Sequence, residues 1–442
     1  MFARLLRNRS VGLSPEAKFF LLRFLQEDQK DQKEQIDTLA ALNVRKIAKR
    51  IGVTPKVASS AIEQLVSLGL LTKQSKLRQL GRPSSVHRCA TVAVEKLLGP
   101  TQDNPGQEAR VAKLLDGASG QKGQRLMYAN RLLLAVLVAR ADEFGVVREL
   151  GWRDLAELTG LQREVIRRRL EWLLDQGYLR SVVPGVTGVA LFTKAKSEYI
   201  LNLAHPLLCM DQDPGVLVVR TKLGRHIDEY PARQILNAVM SGRRAKNVTI
   251  GHECYNIGEL FGAGNPLYLT PMLQACIDRY ASYLLSEQPD AINEKGAFFN
   301  ELRARIRQEF IVPGADKDEG AAAMQVDIVR LLCDQAVGWA RDIKAAIDGV
   351  EGLPGEGPAK CWLLPASKRD HSWRGRKEPL AWALLVKTSA GEVQYRCRVH
   401  DAYLGIDHSL HNDEELTREE RYFYGLLTEL KPAPESKPDA VS

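Results

Sequence analysis

Cysteine is scarce and unpaired in this 442-residue sequence. Its seven residues, Cys89, Cys209, Cys254, Cys276, Cys333, Cys361 and Cys397, are odd in number and never spaced C-x-x-C. That excludes a disulfide framework and suits a reducing compartment, so a cytoplasmic protein is expected. Long apolar runs are also missing. The longest, Leu132–Ala139, is far short of the ~20 residues a membrane span needs, and no membrane partner is expected. The opening MFARLLRNRS is basic but has neither the apolar core nor the cleavage site of a signal peptide.

Catalytic signatures are equally thin. There is no phosphate loop of the form G-x-x-x-x-G-K-[ST], no G-x-G-x-x-G after a strand, no H-E-x-x-H and no G-x-S-x-G. The glycine-rich turn FGAGNP at Phe261–Pro266 lacks the lysine and hydroxyl that a nucleotide site needs. Cys361, His371, Cys397 and His400 are zinc-ligand types, but C-x9-H-x25-C-x2-H is not a zinc spacing. The expectation is a protein that is not an enzyme, with no cofactor and no metal.

Charge is present, and it is unevenly placed. The formal net charge is +8; residues 1–200 contribute +13 and residues 201–442 contribute −5. A basic half joined to an acidic half is the footprint of a phosphate-binding portion linked to one that binds no phosphate. The length fits two to four domains.

The chain also contains one stretch twice. Ile47–Leu71 and Leu155–Leu179 align without a gap at an offset of 108 positions. Ala48/Ala156, Gly52/Gly160, Val57/Val165, Glu63/Glu171, Leu65/Leu173 and Gly69/Gly177 are identical. Apolar pairs occupy the remaining inward positions, including Ile47/Leu155, Ala58/Ile166 and Ile62/Leu170. In each copy a short helix (Val44–Ile51; Trp152–Thr159) stops at a glycine and a longer helix follows three or four residues later. Thr54 is a suitable N-cap and Pro55 a suitable first helical residue. Gly69 and Gly177 end the second helices. Helix, tight turn, helix is the grammar of a helix-turn-helix.

Extended runs follow each copy. Leu70–Gln74 and Ser85–Val92 read as strands around the loop KLRQLGRPSS; Leu179–Val183 and Val189–Thr193 read as strands around the hairpin tip PGVTG. With these strands as wings, both segments resemble the winged helix-turn-helix units of MarR-like and GntR-like bacterial regulators. The resemblance covers Leu13–Val94 and Leu126–Asn202, somewhat over a third of the chain. It implies double-stranded DNA as partner, with the second helix of each unit in a major groove.

The expected fold is mainly α. Two winged helix-turn-helix domains (13–95 and 126–203) are joined by a linker (96–124) and followed by a helical domain (204–350), a small β-containing region with a hairpin (358–430) and a disordered tail (431–442). Residues 1–13 form a basic arm able to track a minor groove, or else a frayed terminus. Leu126–Phe144 is apolar enough to pack beyond its own domain. Helical periodicity continues over Ile227–Met240, Ile257–Phe261, Thr270–Ser286, Gly296–Phe310 and Ala321–Ile347. The last of these is either a core helix or the contact face of a homodimer. Strands are expected at Lys360–Pro365, Ala381–Ser389 and Glu392–Val399, and a short helix at Tyr422–Leu430.

Candidate DNA-binding residues are those on the outward faces of the second helices and on the first wing. In the first unit they are Thr54, Lys56, Val57, Ser59 and Ser60, with Lys76, Arg78 and Arg82 on the wing. Small hydroxyls and a methyl-bearing valine suit mixed base edges, lysine suits guanine or phosphate, and the Gly-Arg-Pro tip suits a narrow minor groove. In the second unit they are Gln162, Arg163, Val165, Arg167 and Arg168, with Arg169 slightly round the helix. A solvated face paired to Glu164 and Glu171 is the competing account of these arginines. The second tip, Pro184–Gly188, is uncharged; it turns the chain or contacts protein. Arg243, Arg244 and Lys246 form a further basic loop. The function expected is that of a sequence-specific double-stranded DNA-binding regulator of transcription using two recognition helices and a basic wing. A plasmid-type replication initiator and a protein-binding adaptor are the alternatives, and the effector is left open.

Overall fold

The computed structural model describes residues 1–9, 12–34, 42–76, 84–98, 105–116, 126–142, 144–187, 190–192, 194–203, 205, 207–210, 216–222, 230–242, 246–262, 266–294, 299–348, 360–364, 381–387, 395–401, 406–410 and 413–423. It is mainly helical with small sheets. The chain divides into two compact units, Met1–Tyr178 with Leu201–Asp213, and Leu179–Ile200 with Pro214–Ser442.

The first unit contains α1 (Phe2–Arg7), α2 (Pro15–Glu34), α3 (Val44–Ile51), α4 (Pro55–Ser67), β1 (Leu71–Lys76), β2 (Ser84–Cys89), α5 (Thr91–Leu97), α6 (Pro105–Asp116), α7 (Tyr128–Arg140), β3 (Val146–Val147), α8 (Trp152–Thr159) and α9 (Arg163–Asp175). The repeat is visible bond by bond. Gly52 and Gly160 stop α3 and α8 at φ 83° and 72°, and their N–H groups donate to Ala48 O (2.9 Å) and Ala156 O (2.8 Å). At the far end of α4, Leu70 N–H donates to Leu65 O (2.9 Å) and Gly69 N–H to Val66 O (3.0 Å). At the far end of α9, Tyr178 N–H donates to Leu173 O (2.9 Å) and Gly177 N–H to Leu174 O (3.2 Å). This six-to-one plus five-to-two pair is the Schellman stop, which requires a left-handed residue; Gly69 (φ 69°) and Gly177 (φ 76°) supply it. The first copy then forms an antiparallel hairpin, β1 against β2, with Leu71 opposite Cys89 and Lys76 opposite Ser84.

Helix α7 has no polar face. Every residue from Ala129 to Ala139 is buried, the condition for a helix surrounded by protein on all sides. It packs against α1, α2, α6, α8 and α9, so the first copy's α2 is one of the surfaces its apolar residues cover. The copies are further tied together by polar contacts. Lys18 Nζ on α2 donates to Leu158 O in the last turn of α8 (2.6 Å), and Tyr128 OH donates to Glu16. The turn at Gly160 lies against the start of α2, where an added Cβ would be 2.9 Å from Leu13 O. Residues 2–7 are not a free arm. They form α1, whose Phe2, Ala3, Leu5 and Leu6 are buried and whose first N–H groups, of Phe2 and Ala3, donate to Glu108 (2.8 and 2.9 Å).

The second unit contains β4 (Leu179–Val183), β5 (Val186–Thr187), β6 (Lys194–Ala195), β7 (Glu198–Leu201), β8 (Val216–Lys222), α10 (Pro231–Ser241), β9 (Asn247–Ile250), β10 (Glu253–Asn256), α11 (Gly258–Phe261), α12 (Pro266–Glu287), α13 (Asn300–Glu309), α14 (Glu319–Asp348), β11 (Lys360–Leu363), β12 (Ala381–Lys387), β13 (Tyr395–Asp401), β14 (Ile406–Leu410) and α15 (Arg418–Phe423). Its β content exceeds the hairpin expected from sequence. Five strands form one sheet in the order β11-β8-β12-β13-β14, with β11 parallel to β8 and the other pairs antiparallel. On the open side of β11, Leu363 N–H donates to Ser282 Oγ (2.8 Å) and Cys361 N–H to Ser286 Oγ (2.9 Å). Two hydroxyls one turn apart on α12 thus satisfy an edge that would otherwise be unpaired.

The long helix α14 is a core element of this unit. Ile328, Leu331, Leu332, Ala336, Ala340 and Ile343 are fully buried in its hydrophobic cluster, which leaves that face unavailable as a dimer contact. A buried ion cluster joins β7 to α12 and α13: Arg279 pairs with Glu198 (3.0 Å) and with Glu309, and Tyr280 OH donates to Glu309 (2.7 Å).

Two outcomes test these junctions. Gly69→Ala and Gly160→Ala both force alanine into the left-handed region, at about 1–2 kcal/mol. Only Gly160→Ala also drives a Cβ into backbone, so it is expected to lower the thermal unfolding midpoint distinctly more; equal losses would place the Leu13–Pro15 segment away from that turn. Burial, with the nearby Arg140 charge adding to it, pulls the Lys18 ammonium down to about 7. Above that pH the folded chain has released a proton that the unfolded chain still holds, so stability rises with pH from about 7 upward. Unfolding free energy measured between pH 7 and 9 is expected to show that rise, and Lys18→Met to flatten it.

Candidate nucleic-acid interface

The outward face of α4 is set by what its inward face must cover. Ala58, Ala61, Ile62 and Leu65 are buried, which leaves Lys56 and Ser60 exposed on the opposite side, with Val57 and Ser59 half-buried at its margins. Thr54, exposed, caps the helix by accepting the Val57 N–H through Oγ1 (3.4 Å). Ser59 Oγ donates to Glu63 Oε1 (3.4 Å), so a carboxylate shares this face. On the hairpin that follows, Thr72, Lys73, Gln74 and Arg88 are exposed. His87 is buried there, its pKa pushed down by burial and then by Lys73. Of the wing candidates, Arg78 and Arg82 and the side chain of Lys76 lie outside the described residues.

On α9 the same geometry places Gln162, Arg163, Arg167 and Arg168 in solvent and Val165 at the margin. Glu164 and Glu171 are exposed on the same side, and Arg167 pairs with Glu171 at 3.9 Å. Arg169 turns inward and donates to Asn130 Oδ1 of α7 (2.6 Å). Burial is the largest cause pulling its pKa below the usual value, and Arg168 adds to that against Tyr128. The second hairpin differs from its sequence reading. Within the expected tip, Val186–Thr187 form a short strand, β5, paired with β6, and the strand beside β4 is Glu198–Leu201; Gly188, Val189 and Thr193 lie outside the described residues. Val183, Val186, Leu191 and Phe192 are buried in the second unit's own core, with Phe192 edge-on to Phe310 at 5.5 Å. That core, rather than solvent, surrounds Val186.

One basic surface lies outside the sequence candidates, which fall on the second helix of each copy, the first wing and the loop at Arg243, Arg244 and Lys246. On α3, Arg45, Lys46 and Lys49 are all exposed, while Arg50 turns inward to Glu27 (2.8 Å) and Asp31. The signal was present in the repeat offset, because the α8 counterparts of these three residues are Arg153, Asp154 and Glu157. Arg153 pairs with Glu157 (2.9 Å), and Arg9 approaches both Glu157 (3.0 Å) and Asp154 (3.4 Å).

The remaining candidates add little. Lys246 pairs with Glu259 at 3.3 Å, and Arg243 and Arg244 lie outside the described residues. His371 lies outside them too, as do the side chains of Cys397 and His400; among the described residues no group of three or more His, Cys, Asp or Glu is arranged to hold a metal ion. No described helix is long and apolar enough to cross a membrane. Comparison of the chain with protein-family models, with curated proteins and with solved structures finds no match.

Proposed function

We propose that this chain is a sequence-specific double-stranded DNA-binding protein that regulates transcription, and that α2, α3, α4 and the β1–β2 hairpin act as a winged helix-turn-helix reading unit. The observation that carries this reading is one hydrogen-bonded helix–turn–helix frame, written twice, whose second helix leaves a polar outward face in solvent. A 13-residue helix such as α4 is about 20 Å long and of a diameter that a ~12 Å major groove admits. Laid there, Lys56 reaches guanine or a phosphate, Ser60 reaches any base edge, and the Val57 methyls face a thymine methyl. Lys73 and Arg88 on the hairpin lie beside it with cationic ends in solvent. The +13 carried by residues 1–200 supplies the field that draws a polyanion to this half of the chain.

The test is selection of bound sequences from random duplex DNA by the full chain. One enriched consensus is expected, with affinity falling steeply as salt rises. Lys56→Ala or Ser60→Ala is expected to relax the preference at one or two positions, each by about 1–3 kcal/mol. Failure to retain any duplex at low ionic strength would overturn the reading. An inverted repeat overlapping a promoter fits regulation, whereas an array of direct repeats beside the gene favours replication initiation.

A further inference from the structure

The two copies share a frame but not a surface, and the difference falls where a helix-turn-helix meets the DNA backbone. In this motif the first helix crosses the phosphates while the second enters the groove. On α3 the residues at the first, second and fifth positions of one stripe, Arg45, Lys46 and Lys49, are exposed cations. At the equivalent positions α8 has Arg153, Asp154 and Glu157, so a stripe of charge +3 becomes one of −1.

We propose that the chain grips duplex DNA through its first copy alone, with Arg45, Lys46 and Lys49 of α3 as the phosphate contacts, and that the second copy has lost that role. The proposal rests on the duplex-binding reading above. It draws on three further observations. The carboxylates of α8 are built into the fold: Asp154 accepts the N–H of the N-cap residue Gly151 (2.9 Å), whereas in the first copy the N-cap Asn43 accepts the Lys46 N–H of the first turn (2.9 Å). Glycine has no side chain for the N-cap half of this arrangement, and the acid three residues on supplies the reach-back half. That acid sits where the first copy offers a cation to a phosphate. Next, Arg9 of the same chain approaches Asp154 and Glu157 and occupies the surface a phosphate would need. Lastly, Val186 of β5 lies in the second unit's core, whereas the first hairpin has Lys73 and Arg88 in solvent. Among the described residues, the second copy thus shows neither a cationic stripe on its first helix nor an exposed side chain at position 186. What it keeps is the apolar side that receives α7.

The experiment compares two triple variants of the full chain, Arg45→Ala/Lys46→Ala/Lys49→Ala and Arg163→Ala/Arg167→Ala/Arg168→Ala. Each is titrated with the enriched duplex and with an unrelated duplex across a salt series, with thermal melting as the control for folding. Three phosphate contacts correspond to about 2.7 in the slope of log affinity against log salt. The α3 variant is expected to lose about that much slope and about tenfold or more in affinity, equally on both duplexes. The α9 variant is expected to keep its slope. The pair Lys46→Gln/Lys49→Gln, worth about 1.8 in slope, serves if the triple variant misfolds. An α3 variant with unaltered slope, or an α9 variant that loses as much, overturns the proposal while leaving duplex binding standing. A wild-type chain that ignores every duplex removes the parent reading instead.

Discussion

Helix α7 constrains everything in the first unit, because eleven successive residues from Ala129 to Ala139 have to be kept from water. No single neighbour covers a cylinder that is apolar all round, and isolated in solvent such a helix would expose several large aliphatic side chains, each worth about 1.5–3 kcal/mol on burial. The first copy's α2, the helices α1 and α6, and the second copy's own α8 and α9 all pack against it. The two helix–turn–helix frames are therefore parts of one core. Their polar ties follow from the same packing: Lys18 reaches the open carbonyl of Leu158 at the end of α8, a place where a cation meets the negative end of the helix. Burial of that ammonium works against its charge, and the carbonyls of Leu158 and Asn8 receive its protons without any carboxylate beside it in those bonds.

Much of this was readable in the residues, for a definite reason. The stops at Gly52, Gly69, Gly160 and Gly177 depend on bonds spanning five residues or fewer, so local chemistry dictates them and a repeat in sequence becomes a repeat in hydrogen bonds. The helices of the second unit were legible through their apolar spacing. What was not legible depends on distant partners. Val216–Lys222 is a strand because Lys360–Leu363 and Ala381–Lys387 flank it, more than 130 residues further along the chain, and nothing near it announces them. The stretch before Glu198–Leu201 is the more β-branched of the two, yet Glu198–Leu201 is the strand beside β4, because that pairing is decided by tertiary packing.

The site was legible to a similar degree. Exposure of Lys56, Ser60, Arg163, Arg167 and Arg168 follows from helical period alone, once the buried set is known. The inward turn of Arg169 does not, because it is decided by Asn130 on another helix. Nor does the enclosure of Val186, which depends on residues as distant as Phe310 through their common core. The basic stripe of α3 is the opposite case. It lay in plain view in the offset of 108, and reading each second helix by itself concealed it.

The two copies share one frame, and packing decides which of their surfaces stays free. Once α7 and the start of α2 close over the second frame, its turn at Gly160 sits against Leu13 and Pro15, and Arg9 is delivered to the adjoining face of α8. Carboxylates at positions 154 and 157 are then useful, one as a helix cap and both as partners for that arginine, and cations there would repel it. In the first frame the outward face of α3 stays exposed at Arg45, Lys46 and Lys49. Its inward arginine, Arg50, is consumed by Glu27 and Asp31, and its outward cations are left with solvent. Exposed pairs like those of Arg9 contribute at most about 1 kcal/mol each, so they do not hold the fold together. Their consequence lies in sign: they make one face of the repeat repel a polyanion while its twin attracts one.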